Sequence, residues 1–314
     1  MTDSNLDESI DSETRISHFA GRRQRAKERL EVLGRDEWNF AIVGLSPDTP
    51  NVSLDGLAEF RRVVEPPGEI ELAGALEDRR LFGAVGRYSQ SIHHELAVSR
   101  NFAGDDYQAV WNFAWWLISG IRVRTRVEFL VPVVANCSWS VISAMRDNSC
   151  KAHLLEDVPQ SRRLAEPVKL VEEDFRWAFR KAMILGDLLE VPRFRLAVEA
   201  LTTHQHLLST RMMVADIWAG IEALMGISNE LTFRLALSAA SLLEPRGAVR
   251  YERYRRIKKM YDLRSKAVHG GEFDEASLLQ HVIESRELLS QLICYMIEAR
   301  KVFTKEEIER NVLE

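Results

Sequence analysis

The stretch KKMYDLRSKAVHGG, residues 258–271, reads as the end of a helix closed by a glycine pair. A helix turns about 100° per residue, so positions three, four and seven apart share a face. From Arg264 that face holds Ile257, Met260, Tyr261, Ala267 and Val268, so a permanent cation is centred on an apolar stripe. An arginine does not shed its proton in a protein, and burying it unpaired is costly. Arg264 therefore needs a carboxylate, backbone carbonyls or a phosphate. His269 lies five positions on, off to one side on a regular helix. A glycine at the helix end can take the left-handed conformation. Unwinding at Gly270 and Gly271 would let His269 swing toward Arg264.

The preceding turns are basic, with Arg250, Arg253, Arg255, Arg256, Lys258 and Lys259, followed by Lys266. Such a run suits a polyanion. It also suits an ordinary solvated face paired with Glu252, Asp262 and other acids. Upstream, from about residue 166, nearly everything has helical period. EPVKLVEEDFRWAFRKAMILGDLL opens near Pro167, and PRFRLAVEALTTHQ opens at Pro192. STRMMVADIWAGIEALMG has Ser209 as N-cap and Gly226 as its stop. NELTFRLALSAASLLE precedes Pro245, and DEASLLQHVIESRELLSQLICYMIEARKVF makes a long last helix.

The N-terminal half is mixed. GRRQRAKERLEVLG reads as a basic helix closed by Gly34, and WNFAIVGL as a short buried strand. LDGLAEFRRVV fits helix or strand. EDRRLFGAVGRYSQSIHHELAVSR reads as helical, although Gly83 and Gly86 weaken it. YQAVWNFAWWLISGI reads as a buried helix with Trp111, Trp115 and Trp116 in the core. IRVRTRVEFLV alternates cleanly, Arg122, Arg124 and Arg126 on one side, and predicts a half-buried strand. The expected fold class is mainly α, a helical bundle behind a mixed α/β domain. The expected divisions are a disordered acidic tail over 1–15, the mixed domain over 16–160 and the bundle over 161–314, with the boundary near LEDVPQSRRLAEP.

With 314 residues, 46% of them hydrophobic and 28% charged, the chain is long enough for a sizeable core of ordinary globular composition. A net charge of −5 excludes a surface that binds nucleic acid everywhere, so any such site is local. The acidic N-terminus has no apolar h-region and reads as no signal peptide, and no run is long enough to span a bilayer. Cys137, Cys150 and Cys294 lie far apart with no CxxC spacing, which fits a reducing cytoplasmic setting. His93-His94-Glu95 and the pair His204 and His206 match no specific metal spacing. No metal or cofactor is expected. Asp105-Asp106 reads as helix capping, Cys294 as core, and Arg234 as structural.

YDLRSKAVHGG carries an R-x4-H motif and resembles the HEPN superfamily, its ApeA-like branch in particular. IWAGIEALMG and LTFRLALSAASLLE resemble that branch's second and third helices, in order and at fitting spacing. The resemblance covers residues 192–300, about a third of the chain. It implies a helical bundle that commonly dimerises, with the motifs of two subunits facing one another, and in many members a metal-independent endoribonuclease of defence, toxin or abortive-infection systems. It places Arg264 on the scissile phosphate and His269 as general acid or base. Ser265, where Asn, Asp or His is more usual, would orient His269. Glu222 would orient Arg264, or make a structural ion pair. Lys258, Lys259, Lys266, Arg255 and Arg256 would bind substrate. The expected partners are RNA, a second copy, and a regulatory partner or trigger acting through the N-terminal domain. Some members are inactive, so the alternative is a scaffold or an RNA- or nucleotide-binding regulator.

Overall fold

A computed structural model describes residues 12–33, 36–102, 106–145, 148–156, 168–227 and 231–313. The chain is mostly helical, with an antiparallel sheet toward the N-terminus and helices toward the C-terminus. It divides into two compact units: Met1–Val110 with Phe129–Asp157, and Trp111–Glu128 with Val158–Glu314.

The first unit contains helix α1 (Ser12–Val32) and strands β1 (Glu37–Val43), β2 (Val52–Leu54) and β3 (Ala58–Arg62). Helices α2 (Glu69–Ala75) and α3 (Phe82–Ser89) follow, then β4 (Ile92–Ser99), β5 (Val133–Ala135) and β6 (Ala152–Leu154). The strands form one sheet in the order β2-β3-β4-β1-β5-β6, every named pair antiparallel. β1 is buried on both faces, which explains its unbroken apolar run. LDGLAEFRRVV resolves into a hairpin. Asp55 and Gly56 both have positive φ, 51° and 71°, and the Leu57 amide donates to the Leu54 carbonyl at 3.0 Å. That primed turn is what an Asp-Gly pair favours.

Two expectations fail in this half. The single helix over EDRRLFGAVGRYSQSIHHELAVSR is α3 followed by β4, because Ile92, His94, Leu96 and Val98 alternate onto one buried sheet face. Of the strand expected over IRVRTRVEFLV, residues 121–125 are instead the last turns of α4 (Tyr107–Thr125), residues 126–129 are irregular, and only Leu130 pairs, in an antiparallel bridge with Val43. Arg122 and Arg126 sit one helical turn apart, and Arg126 leaves the helix at φ 60°. Ser12 already begins α1, so the end of the expected disordered tail is helical; residues 1–11, Gly34, Asp105 and Pro167 lie outside the described residues.

The second unit holds most of α4, then α5 (Glu172–Leu189), α6 (Pro192–Thr203), α7 (Thr210–Met225), α8 (Leu231–Leu243), α9 (Ala248–Val268), α10 (Glu275–Ala299) and α11 (Lys305–Leu313). Residues 111–128 belong here rather than to the 16–160 domain expected for them. The cause is close contact between helices. A Cβ at Gly186 of α5 would stand 2.7 Å from the Trp116 ring, and one at Gly120 would stand 3.1 Å from the Ala178 Cβ. Trp111, Trp115 and Trp116 are half-buried, while Phe113, Ala114, Leu117 and Ile118 fill the core. α5 begins with Glu172, Glu173 and Asp174, and the Asp174 carboxylate accepts from the Val171 amide at 3.2 Å. Pro192 opens α6, and Gly226 ends α7 in the left-handed conformation. Ser209 precedes α7 without a side-chain cap bond. Asp274 caps α10 through the Ser277 amide at 2.8 Å.

Among the described residues, no helix is long and apolar enough to cross a membrane.

Candidate functional site

α7, α9 and α10 build the surroundings of Arg264. Ile257, Met260, Tyr261 and Ala267 are buried as the stripe requires, whereas Val268 is 40% exposed. Trp218 of α7 donates from its indole nitrogen to Ser285 of α10 at 2.8 Å. Its ring meets Tyr261 edge-on at 5.3 Å and stacks on His281 at 6.2 Å. One turn beyond Trp218, Glu222 faces α9. Its Oε1 lies 3.1 Å from the Arg264 guanidinium, with the two side chains 23% and 19% exposed.

The guanidinium also lies over the Tyr261 ring at 5.6 Å, so it is held from two sides. The pair is coulombic rather than hydrogen-bonded: Glu222 Oε1 and Arg264 Nε are buried without a hydrogen-bond partner. Burial first, and then the Glu222 charge, push the Tyr261 phenol above its usual range. Burial likewise lowers His281, whose two ring nitrogens have no hydrogen-bond partner among the described residues.

The end of α9 is closed tightly. Gly270 has φ 80°, and the Gly271 amide donates to the Lys266 carbonyl at 2.8 Å, which is the Schellman pattern. Arg211 of α7 completes the cap, donating to the Ala267 carbonyl at 2.6 Å and the Gly271 carbonyl at 2.8 Å. Arg211 and Lys266 both lie over the Phe273 ring. Sequence reasoning missed Arg211, because a side chain that caps another helix leaves no local pattern.

His269 does not swing. It keeps φ −89° and ψ 20°, and its amide still donates to the Ser265 carbonyl at 3.1 Å. Unwinding starts one residue later. Five helical positions place His269 about 140° around the axis from Arg264 and about 7.5 Å along it. His269 is exposed, and within one chain the structure does not bring it to Arg264. The contact shown between Ser265 and His269 is a main-chain one.

The expected substrate-binding residues are all exposed on α9. Arg255 and Arg256 stand 3.8 and 3.9 Å from Glu252 and Glu284, while Lys258 and Lys259 make no ion pair among the described residues. Arg234 joins α8 to α11 through Glu309 at 2.6 Å, a structural role.

The other candidates separate. His94 and Glu95 are buried in β4 while His93 is exposed, and no cluster of metal-holding side chains occurs among the described residues. Glu95 accepts from Arg61, Ser138 and the Trp139 amide, a closed network inside the first unit. Cys137 and Cys150, distant in sequence, are buried free thiols with sulfurs 3.3 Å apart. That contact, followed by burial, pushes the Cys137 thiol up. An apolar cavity of about 230 Å³ lies between α8 and α11 and is lined by neither Arg264 nor His269.

No family model, curated protein or solved structure matches the chain.

Proposed function

We propose that the second unit cleaves RNA without a metal, in the manner of the HEPN proteins its R-x4-H stretch resembles, and that two copies form the working site. The observation that carries this reading is the state of Arg264. It is oriented from two sides by Glu222 and Tyr261, yet its guanidinium is neither saturated with hydrogen bonds nor sealed from solvent. A guanidinium held this way can accept a phosphate.

The chemistry follows from RNA's own nucleophile. A base takes the 2′-OH proton as the 2′-oxygen bonds to phosphorus, and the bond to the 5′-oxygen breaks as that oxygen gains a proton. Arg264 stabilises the added charge on the phosphorane, and His269 carries a proton. His269 and Arg264 of one chain point apart, so His269 acts beside the Arg264 of a second copy. Lys258, Lys259, Lys266, Arg255 and Arg256 hold the strand by its phosphates. The first unit senses a trigger or regulatory partner, in the setting of a cytoplasmic defence or toxin effector.

A second reading is a non-catalytic HEPN scaffold or RNA-binding regulator. Two observations favour it: Arg264 already has a carboxylate partner, and His269 is turned away from it.

The test is incubation of RNA in EDTA with the unaltered chain, Arg264→Ala and His269→Ala. Each variant is expected to lose about 10²- to 10³-fold in cleavage rate. Cleavage that persists in both overturns the catalytic assignment. A mixture of the two variants should recover part of the activity, because one hybrid site in a mixed pair keeps both groups.

A further inference from the structure

We infer that the second unit carries a separate site for a small phosphorylated ligand of nucleotide size, at the C-terminal end of α4. A cavity of about 550 Å³ opens there, within the usual range for small-molecule sites. Its walls come from the exit of α4, the segment leading into α5, and one face of α10.

The neutral polar groups of this cavity are already engaged. Ser290 donates to the Val123 carbonyl at 2.6 Å, and Gln291 donates to Glu287 at 3.3 Å while accepting from Arg253. Burial pushes the Cys294 thiol up to about 11, so it stays protonated at neutral pH. The cations are not engaged in this way. Arg124 lies over the Trp177 ring at 5.4 Å and reaches Asp174 only at 4.0 Å, Arg126 reaches Glu287 only at 3.8 Å, and exposed Lys169 has no ion-pair partner among the described residues. Three cations thus line a cavity whose wall holds one carboxylate, Asp174. Phosphate oxygens are the acceptors such a set takes.

The backbone adds an independent observation. Arg126 has φ 60°, the left-handed conformation that glycine ordinarily supplies at a helix exit. The turn is fixed on both sides: Thr125 Oγ1 donates to the Ile121 carbonyl at 2.7 Å and accepts from the Val127 amide at 3.2 Å. This conformation sets Arg126 as the wall shared with a second, narrower notch lined by Arg122, Glu128, His204 and Arg286. That notch has only about 10 Å³ of open space, and its one carboxylate is taken, since Glu128 pairs with Arg286 and stands 3.7 Å from His204. The His204 contact, and then Arg286, hold Glu128 below the usual carboxylate range. The notch therefore anchors the wall, and the larger cavity is the open binding volume. A cavity of this volume suits a mononucleotide.

The experiment is calorimetric titration of the full chain with the four ribonucleoside triphosphates, pyrophosphate, adenosine and a short RNA oligomer. At least one triphosphate should bind, and adenosine should not. Lys169→Glu, an exposed change, and Arg126→Lys, which keeps charge but loses the fork, should each weaken binding about tenfold. Lys27→Glu, an exposed change on α1, should leave it unchanged. The inference is overturned if no triphosphate binds at about 1 mM, if Lys169→Glu binds normally, or if the RNA oligomer occupies the site more tightly than any triphosphate. The site shares no residue with the Arg264 pair, so failure of RNA cleavage leaves it standing.

Discussion

Arg264 meets a carboxylate because its place on α9 allowed little else. Part of the requirement was legible in the residues alone: a cation centred on an apolar face needs a partner, while Glu222 became a candidate only through the resemblance. The loss on breaking the pair reflects its partial exposure. Glu222→Ala should lower stability by about 1–2 kcal/mol, by urea unfolding. Arg264→Met strands the Glu222 carboxylate in turn and should lower it by a similar amount. A double variant that loses as much as the two single losses added together would mean that the two groups do not interact.

His94 makes the clearest pH prediction. It is fully buried in β4 and stacked on Phe60 at 5.1 Å, and burial lowers it to about 4. A contact from the Thr49 backbone opposes that shift, while His93 and Arg62 add to it. The unfolded chain takes up this proton near 6.5 and the folded chain near 4. The folded form is therefore favoured fully above pH 6.5, and that contribution drains away as pH falls to about 4. Stability measured across this window should decline with acid, and His94→Phe should flatten the slope. Glu65 acts lower on the scale. Hydrogen bonds from Arg25 and then Arg29 bring it to about 2, so its smaller, solvent-screened contribution is lost below pH 4.5.

At the scale of elements, the helices α5 to α10 were legible because their apolar period is 3.6 and their ends carry proline, aspartate and glycine. β4 was not, because Glu95 and Ala97 on its second face are buried as well, which blurs the alternation of Ile92, His94, Leu96 and Val98. The end of α4 failed the opposite way: arginines and valines two apart imitate a strand even when a helix carries them. The close of α9 is the element with the sharpest consequence. A Cβ at Gly271 would stand 2.3 Å from the Lys266 side chain and 2.9 Å from its carbonyl oxygen. Gly271→Ala should open the last turn, and amide exchange over residues 266–271 should rise about tenfold or more. Arg211→Ala should do the same more weakly, since it strips two carbonyls of their donor. Gly186→Ala drives a methyl against the Trp116 ring and should cost about 1–3 kcal/mol.

At the scale of the molecule, the chain alternates between its two units. It leaves the first after Val110, spends residues 111–128 in the second, returns at Phe129, and leaves again after Asp157. A boundary drawn once, near residue 160, could not reveal this, because composition changes only at the last crossing. A fragment of residues 161–314 lacks α4 and uncovers the surface around Gly186 and Ala178. It should melt well below the intact chain or aggregate, and supplying residues 107–128 as a fused helix should restore a cooperative transition by calorimetry. An equally sharp transition in the fragment alone would show that α4 is dispensable.

The same threading bears on inheritance. A gene assembled from modules usually joins its parts at one seam, and a part cut there can be exchanged for another. Here a single cut strands α4 on the wrong side, depriving one unit of a wall and leaving the other with a helix that has no seat. The sheet-bearing unit cannot be swapped as a cassette without carrying a piece of its neighbour. The two units are therefore expected to travel together through related genes, with insertions and losses concentrated outside residues 107–128.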